Sequence, residues 1–132
     1  MAFGVVLALV SGCGGGALDA DALSQQAKSL QSIAAEGALL AQDAASGETT
    51  RAFSGEHSAE LRGAASSTAT SLEAAATTPG LEPARRSLAA LANHVTSYLD
   101  RLGDASGSED RALRRRLEAA ARRIEAVDRS LA

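Results

Sequence analysis

The stretch LEPARRSLAALANHVTSYLDRLGDASGSED, residues 81–110, carries the pattern that decides the fold. Apolar side chains recur in it at steps of three and four residues, the spacing that places them on one face of an α-helix. These side chains are Leu81, Ala84, Leu88, Leu91, Val95, Tyr98 or Leu99, and Leu102. Pro83 is compatible with the pattern because the first turn of a helix tolerates proline. The spacing therefore predicts a helix over 81–102 with one apolar face.

A turn and another helix start follow this segment. Ser106 precedes Glu109 by three residues, which is the spacing of a capping box and a specific sign of a helix N-terminus. The apolar positions beyond it are Leu113, Leu117, Ala120, Ile124, Val127 and Leu131. The arginines of this helix, including Arg114, Arg115, Arg122 and Arg129, lie mostly on the other face, beside Glu118, Glu125 and Asp128. We interpret that face as solvated and salt-bridged, with a binding patch as the alternative.

Two more helices are predicted upstream. The first runs from Leu18 to about Ala45 and ends at Ser46-Gly47, with an inner face of Leu23, Ala27, Leu30, Ile33, Ala34, Gly37, Leu40, Ala41 and Ala44. The second runs from a cap at Thr49 or Thr50 to about Ala76, before the break at 77–80. Its expected inner face is Phe53, His57, Leu61, Ala64, Thr68, Leu72 and Ala75.

The N-terminal segment has a different character. Residues 9–13, Leu-Val-Ser-Gly-Cys, follow an apolar run and precede three glycines. This stretch resembles the lipobox of bacterial lipoproteins. The resemblance implies a cleaved signal peptide at 1–12, a lipidated Cys13 and a tether over 13–17. The apolar run is short and no Lys or Arg precedes it, so we expect a start codon upstream of Met1. The alternative is an apolar N-terminus with an accidental cysteine.

Together these segments predict an all-α protein: an up-down-up-down antiparallel four-helix bundle over 18–132, after a cleaved lipoprotein signal. The alternative architecture is two long helical hairpins that pair only within a dimer. Part of the chain, Ser32 to Gly37, Leu39 to Ala41, Thr50, Phe53, His57 and Glu60-Leu61, resembles helical proteins of GC-rich bacteria that have no assigned chemistry. That resemblance implies a helical domain and nothing further.

Composition excludes several classes of function. The chain has 132 residues and a formal net charge of -3, so no strong positive field would recruit nucleic acid. Cys13 is the only cysteine, which excludes an internal disulfide and a cysteine-based metal site. The sequence contains no phosphate-binding glycine loop, nucleophile elbow or His-Glu-x-x-His motif. We therefore expect neither an enzyme nor a resident cofactor.

One group of polar residues stands out against this background. His57 falls within the expected inner face of the second helix, and Glu36 and Glu60 fall at stripe edges. Counted from the turn near residue 47, Glu36 and His57 lie at about the same height in an antiparallel hairpin, and His94 has a similar height on the third helix. We interpret the group as a buried histidine held by Glu36, with Glu60 and Arg116 completing a polar layer. The alternative is a metal- or ligand-binding site formed by Glu36, His57, Glu60 and His94.

The sequence therefore predicts a lipid-anchored helical bundle on the extracytoplasmic face of a membrane, or on the periplasmic side of an envelope membrane. Its expected role is that of a structural or protein-interaction module, with the membrane and an envelope protein as partners. The alternative function is a small metal- or ligand-binding bundle in the same place. The sequence leaves the oligomeric state open.

Overall fold

The structure is a computed structural model that describes residues 16–132. It contains four helices: α1, Ala20–Ser46; α2, Arg51–Ala74; α3, Glu82–Leu102; and α4, Gly107–Ser130. The predicted all-α class and antiparallel four-helix bundle are confirmed. The expected signal peptide at 1–12 and the expected lipidation residue Cys13 lie outside the described residues.

Side chains and glycines fix most helix ends. Asp19 is the N-cap of α1 and accepts a hydrogen bond from the Ala22 amide at 2.9 Å. Gly47 ends α1 with a φ of 72°, in the left-handed region that glycine adopts without a steric penalty. Thr50 caps α2 by accepting from the Phe53 amide at 3.1 Å. These ends agree with the predicted helix boundaries to within one or two residues, which is the usual uncertainty of such limits.

The start of α4 has the predicted position but not the predicted capping chemistry. Ser106 is the N-cap, yet its side chain makes no capping hydrogen bond. Glu109 instead accepts from Arg101 Nη2 of α3 at 3.3 Å. The capping box is therefore wrong, because the pairing of α3 with α4 draws Glu109 away from the helix end.

The four helices pack as two closely apposed antiparallel pairs, α1 with α4 and α2 with α3. A hydrogen bond joins Ser24, near the start of α1, to Asp128, near the end of α4, as expected for antiparallel helices. In the other pair, Asn93 of α3 bonds Glu73 of α2. Because α1 and α4 pack within one chain, the alternative of two hairpins that pair only in a dimer is wrong. Across the diagonals of the described bundle, α1 contacts α3, whereas α2 and α4 are apart.

The core follows the predicted stripes on three of the four helices. Its largest fully buried side chains are Leu23, Leu30, Leu72, Leu88, Val95, Leu99, Leu113, Leu117 and Ile124. Leu99, and not Tyr98, is the buried residue of α3 at the position that the sequence left open, and Tyr98 is half-buried. Gly37 lies among these side chains, because its missing side chain leaves space for Leu99 and Leu117.

The predicted inner face of α2 is correct at Leu61 and Leu72 but wrong by one position at most of the others. Ser54, Ser58, Leu61, Ala65, Ala69 and Leu72 are buried, whereas Phe53 and Ala64 are exposed. The reason is the close approach of α2 to the end of α3: a methyl group at Gly103 would lie 3.5 Å from Ser58 Oγ and 3.9 Å from the Gly55 Cα. Small residues of α2 therefore lie against the end of α3, and the larger Phe53 lies on the outer side.

The bundle has two distinct ends. One, which we call the Leu18 end, holds the start of α1, the α2–α3 connection and the C-terminus of α4. There Leu18 donates its amide to the Ala76 carbonyl at 2.8 Å and accepts from the Thr78 amide at 3.0 Å. The other, the turn end, holds the α1–α2 connection at 47–50 and the α3–α4 connection at 103–106.

Arg85 fastens two helices together at the Leu18 end. Its guanidinium donates to the Leu72 carbonyl of α2 at 2.7 Å and is also paired with Glu82 in the first turn of α3. Glu82 further accepts from Thr77 Oγ1 at 3.2 Å. These hydrogen bonds, led by the one from Arg85, lower the pKa of Glu82 from 4.5 to about 2.

Candidate functional site

Glu36, His57 and Glu60 form a cluster in the groove between α1 and α2. His57 Nε2 lies 3.0 Å from Glu36 Oε1, and His57 Nδ1 lies 3.7 Å from Glu60 Oε2. The first contact is a hydrogen bond and the second is too long to be one. The imidazole therefore joins two helices through one carboxylate and lies near a second carboxylate of its own helix.

The caps of the two helices bring Glu36 and His57 to the same height. Gly47 ends α1 and Thr50 starts α2, so equal residue counts from the connection give equal distances along the bundle. Glu60 lies one turn beyond His57, at the i+3 position that faces it on a helix.

The cluster is at the surface, not in the core. The side chains of His57, Glu36 and Glu60 are 30%, 54% and 72% exposed. The expectation of a buried His57 is wrong for the same reason as for Phe53, because the small residues of α2 take the inward positions. A partly exposed contact between polar side chains contributes roughly 0–1 kcal/mol to stability, so the cluster is not the main interaction between α1 and α2.

Phe53 extends the cluster toward the turn end. Its ring stacks on the His57 imidazole with centroids 5.8 Å apart and planes inclined by 15°. The Phe53 side chain nevertheless remains 56% exposed. The groove thus presents an aromatic ring next to an imidazole and two carboxylates, so that apolar and polar groups lie side by side on the surface.

Comparisons with models of protein families, with curated proteins and with solved structures find no match to this chain. No described helix is both long and apolar enough to cross a bilayer.

His94 does not join the cluster. It lies in the groove between α3 and α4, with its ring 6.3 Å from that of Tyr98, while Arg116 stands over the Tyr98 ring at 5.9 Å. At about 100° per residue, position 94 is turned from Val95 toward α4, whereas Asn93 and Asp100 face α2. The prediction that His94 and Arg116 belong with His57 is therefore wrong. Within residues 16–132, no group of three or more His, Cys, Asp or Glu side chains is arranged to hold a metal ion.

The structure also contains buried polar residues that the sequence pattern did not predict. Asp110 of α4 and Ser54 of α2 are buried at the turn end and line one pocket together with Arg51. Burial raises the pKa of the Asp110 carboxyl, and the positive charge of Arg51 opposes that shift. The sequence did contain a signal, because Asp110 stands three residues before Leu113 and so continues the apolar stripe of α4 with an acid.

Proposed function

We propose that this chain is a lipid-anchored module of the cell envelope, with a structural or protein-interaction role and no catalytic one. Two features support the proposal: the similarity of residues 9–13 to a lipobox, and a helical bundle that begins a few residues later. The exposed Phe53 and its neighbours supply a surface for a partner.

The position of Leu18 determines how an anchored bundle would be oriented relative to the membrane. Four residues separate Cys13 from Leu18, and the five steps of chain between these two residues reach at most about 17 Å. Leu18 is itself hydrogen-bonded to the α2–α3 connection. A lipid on Cys13 would hold the Leu18 end near the bilayer, and the 27 residues of α1 would carry the turn end roughly 40 Å away from it.

The observation that carries the interaction role is the placement of exposed apolar side chains. In the described chain, the large apolar residues with exposed side chains are Leu39, at 61%, and Phe53, at 56%. Leu39 lies seven residues before the end of α1 and Phe53 lies in the first turn of α2. At 1.5 Å per residue both lie within about 10 Å of the turn end, the end that an anchored bundle presents to its surroundings.

The anchor is tested by replacing the lipidated residue. Cys13→Ser removes the thiol that receives the lipid, so the protein should move from the membrane fraction to the soluble fraction or remain unprocessed, because two acyl chains anchor stably. Ser11→Ala keeps a small residue near the cysteine and serves as the matched control. A Cys13→Ser protein that keeps the mass and the membrane association of the parent would refute the anchor.

The interaction surface is tested by site-specific photo-crosslinking in cells. A photoreactive residue in place of Phe53 or Leu39 should give one discrete adduct, whereas the same residue in place of Ser87, exposed near the Leu18 end, should not. Equal adduct yields at the three positions would contradict a partner surface at the turn end.

A further inference from the structure

The turn end contains a pocket between the two interhelical connections. It has a volume of about 140 Å³ and is lined by residues of all four helices or their ends, among them Arg51, Ser54, Gly103 and Asp110. An engineered apolar cavity of about 150 Å³ accommodates benzene, so this pocket has room for a ligand of roughly six non-hydrogen atoms.

Two buried polar groups in this pocket have no partner. Asp110 is 5% exposed and Ser54 is 4% exposed, and neither Asp110 Oδ1 nor Ser54 Oγ makes a hydrogen bond. Leaving such groups unpaired in the protein interior is unfavourable, and more so for a charged group. The Asp110 carboxylate turns about a soft torsion, so either oxygen can be presented to the pocket.

A positive charge lines the same pocket without neutralising Asp110. Arg51, the first residue of α2, is close enough to oppose the raised pKa of Asp110, yet the two side chains form no ion pair. The pocket therefore combines a buried carboxylate and a buried hydroxyl without hydrogen-bond partners with the guanidinium of the exposed Arg51.

From this arrangement we infer that the pocket binds a small free α-amino acid such as glycine. The ammonium group donates to Asp110 and Ser54, and the carboxylate accepts from Arg51, whose planar fork matches a carboxylate. Glycine has five non-hydrogen atoms and fits the volume. Bound in this way, its ammonium offsets the burial of the Asp110 charge. The inference is independent of the lipid anchor and of any protein partner.

The experiment is a titration of the full-length chain followed by amide NMR. Glycine should give saturable shifts in the Gly103, Ala105 and Asp110 amides, with a Kd of about 1 mM, within the limit that so few atoms set. Ethylamine and acetate each carry one of the two charges and should bind at least about tenfold more weakly, as expected for the loss of a charged hydrogen bond. Trimethylglycine keeps both charges but has no N–H donor, and it should give no saturable shift.

Variants separate the three contacts. Asp110→Asn and Arg51→Gln should each weaken glycine binding by about tenfold or more, and Ser54→Ala by roughly two- to tenfold. The matched controls are Arg111→Gln, a nearby charge outside the pocket, and Glu48→Gln, an exposed acid of the α1–α2 connection. Both controls should bind within about twofold of the parent, as expected for exposed charges that do not touch the ligand.

Three outcomes would overturn the assignment. One is the absence of saturable glycine shifts up to about 50 mM, which would leave the pocket to water. Another is binding of ethylamine or trimethylglycine as tight as that of glycine. The third is an unchanged Kd in a folded Asp110→Asn or Arg51→Gln protein.

Discussion

At the scale of single residues, Gly37 and Gly63 show how differently two helical glycines can act. A methyl group added at Gly37 would lie 2.7 Å from Leu99 Cδ2 and 3.4 Å from Leu117 Cδ1, both in the packed core. A methyl group added at Gly63 would meet nothing within 4 Å. Alanine at either position gains helix propensity, but only at Gly37 does it also need space that is already filled.

We therefore expect opposite effects from the same substitution. Gly63→Ala should raise the free energy of unfolding by about 0.5–1 kcal/mol. Gly37→Ala should lower it by up to about 2 kcal/mol, because overpacking costs roughly 1–3 kcal/mol and exceeds the propensity gain. Urea denaturation with an unchanged m-value measures both. Equal stabilisation by the two variants would show that Leu99 moves aside freely.

At the scale of elements, the ends of α2 and α3 are joined chiefly through Arg85. This side chain is 13% exposed and bonds both the Leu72 carbonyl and Glu82. Arg86, one position later, also reaches Glu82 but is 73% exposed. Arg85 and Arg86 thus both pair with Glu82, but of the two only Arg85 also bonds α2.

Substitutions of Arg85 and Arg86 provide a matched test of this connection between α2 and α3. Arg85→Ala should reduce the free energy of unfolding by about 1–3 kcal/mol, since it leaves the Leu72 carbonyl and Glu82 without their charged donor. Arg86→Ala should change it by less than about 1 kcal/mol, because exposed pairs contribute little. Chemical denaturation compares them, and similar losses in both variants would contradict the role of Arg85.

The elements also show which parts of the fold the sequence could predict. Large Leu and Ile side chains define the inner faces of α1, α3 and α4, and those faces were predicted correctly. In α2 the predicted Leu61 and Leu72 are buried. Phe53 is exposed, however, and Ser54 and Ser58 face inward beside the close approach of Gly103. A helical wheel weighs hydrophobicity and cannot include the interhelical distance that decides which face is inward.

The candidate site, too, could be predicted from the sequence only in part. The equal heights of Glu36 and His57 followed from residue counts, because caps fix where each helix begins and the rise per residue is constant. The side to which His94 turns depends on the rotation of α3 about its own axis. A residue at the edge of an apolar stripe can face either of the two neighbouring grooves. The sequence position of His94 therefore did not determine that it faces α4.

At the scale of the whole molecule, two acids at opposite ends respond to pH with opposite signs. Burial raises the pKa of Asp110 above its usual 3.8, so the folded state holds that proton more tightly than the unfolded state does. Its charge therefore destabilises the fold at neutral pH, and acidification through the raised pKa toward 3.8 relieves the penalty. Glu82, with a pKa lowered from 4.5 to about 2, contributes stability above 4.5 that is lost as pH falls toward 2.

Asp110→Asn should accordingly stabilise the protein most at neutral pH. The gain over the parent should shrink as pH falls through the window above 3.8, because protonation relieves the parent of the same penalty. Glu82→Gln should show the reverse, with a loss at neutral pH that fades in acid. Urea unfolding across this pH range measures both variants. An Asp110→Asn gain that is constant with pH would exclude the carboxyl as its source.

The antiparallel packing of α1 against α4 also has a mechanical consequence. A pull that acts on α1 at the Leu18 end and on α4 at the turn end loads the two helices in opposite directions along their axes, so that they must slide past each other with all of their shared contacts resisting together. A pull between Leu18 and the C-terminus acts at one end only and peels α1 from α4 turn by turn. The same pair of helices is thus strong in shear and weak in peeling, and the bundle withstands tension best when the load enters at one end and leaves at the other.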